Sequence, residues 1–169
     1  MHRLIAPMVF LVLFFAAAVI FGGSRSSNQP DESLISPFKV SDTPKGGVVS
    51  DQEGAPVELE SLFGDKTLLT FWSSQCRECE EGLAVIGEFS ERHPEITVIL
   101  VNFRDPVPLA AQALEQFSPQ LTSYFDSTGS VYQNWLATLP SSYYIEQDKI
   151  LYFFPGRIGA DHLEALVAP

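Results

Sequence analysis

The stretch Phe71-Trp72-Ser73-Ser74-Gln75-Cys76-Arg77-Glu78-Cys79-Glu80 contains both cysteines of the chain, separated by two residues, at the exit of an apolar run. Lys66 to Trp72 reads as a strand buried on both faces, because its apolar residues run on instead of alternating. Glu80 to Arg92 reads as a helix. Leu83, Ile86 and Phe89 recur there at near-helical spacing with Val85 beside them, while Glu80, Glu81, Glu88, Glu91 and Arg92 take the other faces. Gly82 and Gly87 each cost about 1 kcal/mol against Ala in such a helix, which points to close packing or a bend. A C-x-x-C pair at a strand-to-helix junction is a redox-active placement.

Working outward from that junction, Gly47 to Ser50 and Ala55 to Leu59 form a small hairpin around Asp51-Gln52-Glu53-Gly54, and Leu59 to Phe63 a helical turn. On the other side, His93-Pro94 ends the helix and Ile96 to Asn102 is a clear strand. A helix over Pro108 to Phe117, a short strand over Leu121 to Phe125, a turn at Asp126-Ser127-Thr128-Gly129 and a helix over Ser130 to Leu136 follow. Ser141 to Ile145 and Ile150 to Phe154 make a hairpin, and Ala160 to Val167 closes the chain as a helix. This order predicts an α/β fold: a central mixed sheet flanked by helices on both sides, extended at its N-terminal end by a β-hairpin.

The 169 residues have room for one domain of ordinary size, and 46% hydrophobic content supplies a core. Part of that content is one block. Leu4 to Phe21 carries no charge, and its 18 residues span about 27 Å as a helix, close to the roughly 30 Å hydrocarbon thickness. Residues 1–25 are therefore expected to be a signal anchor spanning the membrane through residues 4–21, with a cleaved signal peptide as the alternative. Residues 26–37 read as a linker and residues 38–169 as the folded domain. Arg3 and the amino terminus favour a cytoplasmic N-terminal side, which places the domain outside the bacterial cytoplasmic membrane, facing the periplasm or the cell exterior. The first 25 residues hold two of the ten basic side chains and none of the 21 acids, so the remainder carries a net charge of −13. Nucleic acid is excluded as a partner on that charge.

A thiolate, not a thiol, attacks a disulfide, so an attacking cysteine needs its negative charge stabilised near neutral pH. With Cys76 at the helix N-cap, the free amide hydrogens of the first turn and the positive end of the helix dipole face its sulfur, whereas Cys79 lies one turn in and is shielded. Cys76 is thus the expected nucleophile and Cys79 the resolving thiol. Arg77 favours the thiolate, and Glu78, Glu80 and Glu81 oppose it. A zinc site needs about four ligands, and beyond the pair only His93 and His162 are on offer, in no ligand-like spacing. Covalent haem attachment needs His after the second cysteine, where Glu80 stands. No metal and no cofactor are expected. A binding module that holds Cu(I) on the cysteine pair is the rival from another class.

The run Leu68-Leu69-Thr70-Phe71-Trp72 leading into Cys76-Arg77-Glu78-Cys79 resembles the thioredoxin superfamily. The likeness is to its membrane-anchored or exported bacterial branch of TlpA-like, ResA-like and cytochrome c biogenesis thiol-disulfide oxidoreductases, over roughly residues 38–169. The resemblance implies a thioredoxin-like fold and a cis-proline facing the active site, which Leu139-Pro140-Ser141-Ser142 matches at Pro140. Leu139, Pro140 and Trp72 then form the substrate-binding side. Three departures from the family pattern stand out: Glu78 replaces the usual Pro between the cysteines, Thr70 replaces a buried acid on the strand, and Gln75 replaces the Trp before the first cysteine. Arg77, Glu78 and Thr70 are accordingly the expected redox-tuning positions. The resemblance further implies a reductase acting on exported thiol or disulfide proteins, in cytochrome c maturation or related thiol maintenance, re-reduced through a membrane electron donor. A disulfide-forming oxidase is the alternative direction.

Overall fold

The computed structural model of the protein describes residues 38–168. The segment read as a membrane anchor and its linker lie outside them. No helix among the described residues is long and apolar enough to cross a membrane.

Eight strands form one mixed sheet: β1 (Phe38–Asp42), β2 (Val48–Ser50), β3 (Pro56–Glu58), β4 (Lys66–Trp72), β5 (Thr97–Phe103), β6 (Ser123–Asp126), β7 (Ser141–Glu146) and β8 (Lys149–Pro155). Among the described residues four α-helices accompany them: α1 (Arg77–Arg92), α2 (Val107–Phe117), α3 (Ser130–Asn134) and α4 (Ala160–Val167), with a 3-10 turn at Leu59–Leu62. The spatial order is β1-β8-β7-β4-β5-β6-β2-β3. Strands β4, β5 and β6 are parallel to one another; on the other side of β4, β7 runs antiparallel to β4 and β8 antiparallel to β7. The predicted hairpin β2–β3 adds to the free edge of β6 through Ser50 and Phe125.

Most strand limits shift by a residue from the sequence reading, and the sheet departs further at β6 and at β1. The short strand after α2 is Ser123–Asp126 rather than Leu121 to Phe125, because Leu121 closes the preceding turn on Ser118. The other edge of the sheet is β1, which no periodicity announced. It pairs antiparallel with β8 through Phe38–Phe153 and Lys39–Tyr152, then shifts register before Asp42–Ile150.

β4 is at the centre, and every residue from Thr67 to Trp72 is buried. Its side chains alternate between two cores, as the pleat requires. Leu69 and Phe71 pack with Ile99, Val101, Trp135 and Tyr143 on one face. Leu68 meets Ile86, Phe89 and Leu163 on the other, where Trp72 also meets Cys79, Leu83, Leu100 and Leu114. Helices α1, α2 and α4 thus cover one face of β4, and α3 with the 3-10 turn covers the other. Both ends of the functional junction are fixed, β4 by continuous burial and α1 by its buried face of Cys79, Leu83, Ile86 and Phe89.

The two glycines of α1 have different reasons. A Cβ on Gly87 would stand 2.2 Å from Ser118 Oγ, which is itself held by its bond to the Leu83 carbonyl at 2.6 Å. Gly82 meets nothing nearer than Arg157 Cγ at 3.7 Å. Close packing therefore explains Gly87 and not Gly82. Gly87→Ala is expected to lower stability by about 1–2 kcal/mol, overpacking outweighing the helix-propensity gain. Gly82→Ala is expected to raise it by up to about 1 kcal/mol. Urea unfolding of the two variants checks both signs.

Candidate active site

Trp72 is the last residue of β4, and the chain leaves the sheet through Ser73-Ser74-Gln75 before α1 begins. Cys76 is the N-cap of α1, with extended backbone (φ −114°, ψ 106°). Its carbonyl accepts from the amides of Cys79 and Glu80 at 3.0 and 3.2 Å. Its sulfur also accepts from the Cys79 amide at 3.2 Å, so one first-turn N–H, shared with the Cys76 carbonyl, points at Sγ. The two cysteines are joined as a disulfide, with Cα atoms 5.2 Å apart. Cys79 is only 1% exposed, while Cys76 is half-buried. An incoming sulfur therefore reaches Cys76 and not Cys79.

The charged neighbours of the pair face solvent. Arg77 is turned toward Glu81 at 3.4 Å, and Glu81 also meets Arg157 at 3.7 Å. Glu78 is exposed and Glu80 half-exposed. Exposed ion pairs of this kind contribute little. Thr70, expected as a tuning position, is buried and bonds Ser142 Oγ at 2.8 Å, so a pair of hydroxyls stands there.

The substrate-side residues separate. The register of β4 with β7 pairs Phe71 with Ser141, which sets Pro140 beside the exit of β4. The Leu139–Pro140 peptide is cis. Leu139 is half-buried, and both it and Cys76 pack against the cluster that contains Trp72 and Cys79. The expectation that Trp72 faces substrate is corrected. Its side chain is 0% exposed, and its indole Nε1 donates to Ser123 Oγ at 2.9 Å. It anchors the end of β4 to β6 and offers no surface to a client, because the even-numbered side chains of β4 point into the core beneath α1.

The sequence reading did not single out Asp105. This carboxylate is 8% exposed in the turn between β5 and α2. Oδ1 accepts from Ser73 Oγ at 3.0 Å and lies 3.5 Å from Gln75 Nε2. Oδ2 accepts from the Ser74 amide and from Asn102 Nδ2, the latter at 2.8 Å. Asn102 Oδ1 in turn accepts from the Asp105 amide at 3.1 Å. The available signal was topological: polar residues at the carboxyl ends of parallel strands are where open α/β sheets build sites. Asn102 pairs directly with Trp72 across β4–β5.

Burial pushes the Asp105 carboxyl up, but the hydrogen bonds from Asn102, the Ser74 amide and the Ser73 hydroxyl outweigh it and hold it below the usual carboxylate range. An open pocket of about 240 Å³ flanks the same loop, between Gln75 and Glu80 on one side and Gln112 and Gln116 of α2 on the other. Among the described residues no group of three or more His, Cys, Asp or Glu side chains is placed to hold a metal.

The fold is shared with a secreted Mycobacterium tuberculosis disulfide oxidoreductase homologous to E. coli DsbE, at TM-score 0.65 and 19% identity over 72% of this chain and 93% of that one. The fold is thioredoxin-like, and the cysteine pair lies at its first central strand-to-helix junction. Thiol-disulfide oxidoreductase ResA from Bacillus thuringiensis is 24% identical over 121 residues, 69% of this chain and 70% of its own. Sporulation thiol-disulfide oxidoreductase A of Bacillus subtilis is 27% identical over 101 residues, 56% and 61% of the two chains. In sequence the chain is similar to these thiol-disulfide oxidoreductases. No family model matches it.

The low Asp105 pKa has a definite acid signature. Folding favours the carboxylate, so this contribution to stability is complete above the unfolded-state value of about 3.9 and is lost as the pH falls through the lower folded value. The Ser74 amide resonance of the oxidised protein is expected to titrate with a midpoint below about 3.9. A midpoint above that value contradicts the bonding described here.

Proposed function

We propose that the protein reduces disulfides of exported proteins, with Cys76 as the attacking sulfur and Cys79 as the resolving one. The observation that carries this is the asymmetry of the pair: Cys76 is accessible at the helix N-cap and accepts an amide hydrogen bond on its sulfur, while Cys79 is shut in the core. In the reduced protein the Cys76 thiolate attacks one sulfur of a client disulfide. A mixed disulfide forms and the first client thiolate leaves. The Cys79 thiolate then attacks the Cys76 sulfur, the second client thiolate leaves, and the Cys76–Cys79 bond closes. Two electrons pass from the pair to the client, and the two client thiolates end protonated by the two protons the pair gives up.

Residues 4–21 tether the domain to the outer side of the bacterial cytoplasmic membrane, and a membrane electron donor returns the pair to the dithiol. Clients are exported proteins whose cysteines must stay reduced, apocytochrome c haem-site cysteines among them. Leu139 and Pro140 border the approach to Cys76, where an extended client segment docks by its backbone. The pocket between Gln75 and the α2 glutamines receives a flanking client side chain. Arg77, Glu78 and Thr70 adjust the potential rather than set it. Arg77 is engaged by Glu81, Glu78 is solvated and Thr70 is uncharged.

Cys76→Ser is expected to abolish turnover of a model disulfide substrate. Cys79→Ser should accumulate client proteins linked to Cys76, visible as adducts that a reductant releases. Retained turnover in Cys76→Ser with loss of Cu(I) binding would instead identify a copper carrier.

A further inference from the structure

We propose that Asp105 is a positioning residue of the thiol-disulfide reaction: its carboxylate holds the Ser73–Gln75 loop so that Cys76 starts α1 with its sulfur on the first-turn amide. The inference rests on Cys76 being the attacking sulfur. Its support is independent of that role and lies in the donor count. Both Asp105 oxygens receive only donors, from Ser73 and Gln75 on Oδ1 and from Ser74 and Asn102 on Oδ2. These partners include each of the three residues that lead into Cys76. A loop of three residues between a buried strand and a helix has its two ends fixed and its middle free. The carboxylate fixes the middle.

The loop also bonds itself, from the Gln75 amide to Ser73 Oγ at 3.2 Å and from the Cys76 amide to the Ser73 carbonyl at 3.2 Å. Ser73 is thus the common point through which Asp105 reaches the backbone of Cys76. Remove the carboxylate and the Ser74 amide and the Asn102 side chain lose their acceptor, so the loop must turn to find another. The Cys76 sulfur then moves off the helix axis, where the amide bond and the dipole act only within the first turn.

An Asn at this position separates shape from charge. Its oxygen in the Oδ2 place keeps the bonds from Ser74 and Asn102. Its amide in the Oδ1 place donates to Ser73 Oγ, whose proton is free to rotate away. Asn therefore preserves the bonds from Ser74 and Asn102 and the link to Ser73, and gives up the negative charge and the longer contact from Gln75 Nε2, which would face another donor.

The test is the rate of Cys76 alkylation by iodoacetamide at neutral pH in the reduced full chain carrying Cys79→Ser. This rate reports Cys76 alone, whatever the direction of turnover. Asp105→Ala is expected to slow alkylation about tenfold, equivalent to about one unit in the thiol pKa. Asp105→Asn should recover most of that loss. Should Asp105→Ala fail to fold, Ser73→Ala removes the link to the loop while leaving the carboxylate in place, and about a threefold slowing is expected, as for one lost hydrogen bond of modest strength. Alkylation within twofold of the parent in the folded alanine variants overturns the proposal. Equal slowing in the Asn and Ala variants at Asp105 also overturns it, since the effect would then not depend on the bonds that Asn keeps, and loss of a negative charge alone favours the thiolate. Failure of the functional reading shows elsewhere, as turnover that survives Cys76→Ser.

Discussion

The structure depends on one residue satisfying two demands at once. Cys76 must end a loop in extended backbone and begin a helix, and its sulfur must take an amide hydrogen from the turn it starts. A hydrogen bond to a charged acceptor contributes about 1.5–3 kcal/mol, and the helix dipole about 0.3–1 kcal/mol more. Both act in the direction that favours a thiolate at that position. The surrounding side-chain charges are too exposed to compete. What the rest of the fold contributes is the fixed position of that turn.

Three elements supply the fixity. β4 is buried along six consecutive residues and carries hydrogen-bonded neighbours on both sides, so its exit does not move. Trp72 closes the strand with its indole bonded to Ser123 on β6, two strands away. α1 is pressed onto the sheet by Leu83, Ile86 and Phe89, and Gly87 lets the Ser118 turn approach it without a side chain between them. Between these rigid pieces lies a short polar loop, and Asp105 is the group that occupies its interior.

Much of this could be read from residue order. The C-x-x-C pair, the unbroken apolar strand before it and the 3.6-residue pattern after it placed the junction, and the alternation of strands with helices placed the mixed sheet. The strand β1 was not legible, because it is five residues of mixed polarity whose partner, β8, lies at the far end of the chain. Asp105 was illegible for a similar reason. Its partners Ser73 and Ser74 are 32 and 31 positions away in the chain, and they meet only through the parallel register of β4 and β5. Trp72 misled because an aromatic beside a cysteine pair looks the same whether it lines a surface or fills a core. The parity of β4 decides the matter, and that parity is set by which residues of α1 lie over it.

The measurement that bears most directly on the proposed activity is the reduction potential of the Cys76–Cys79 couple, taken together with its redox state in growing cells. A reductase predicts a couple at or below about −270 mV, in the range of thioredoxin, held as the dithiol. A couple near about −120 mV, held as the disulfide, is that of an oxidase and contradicts the account.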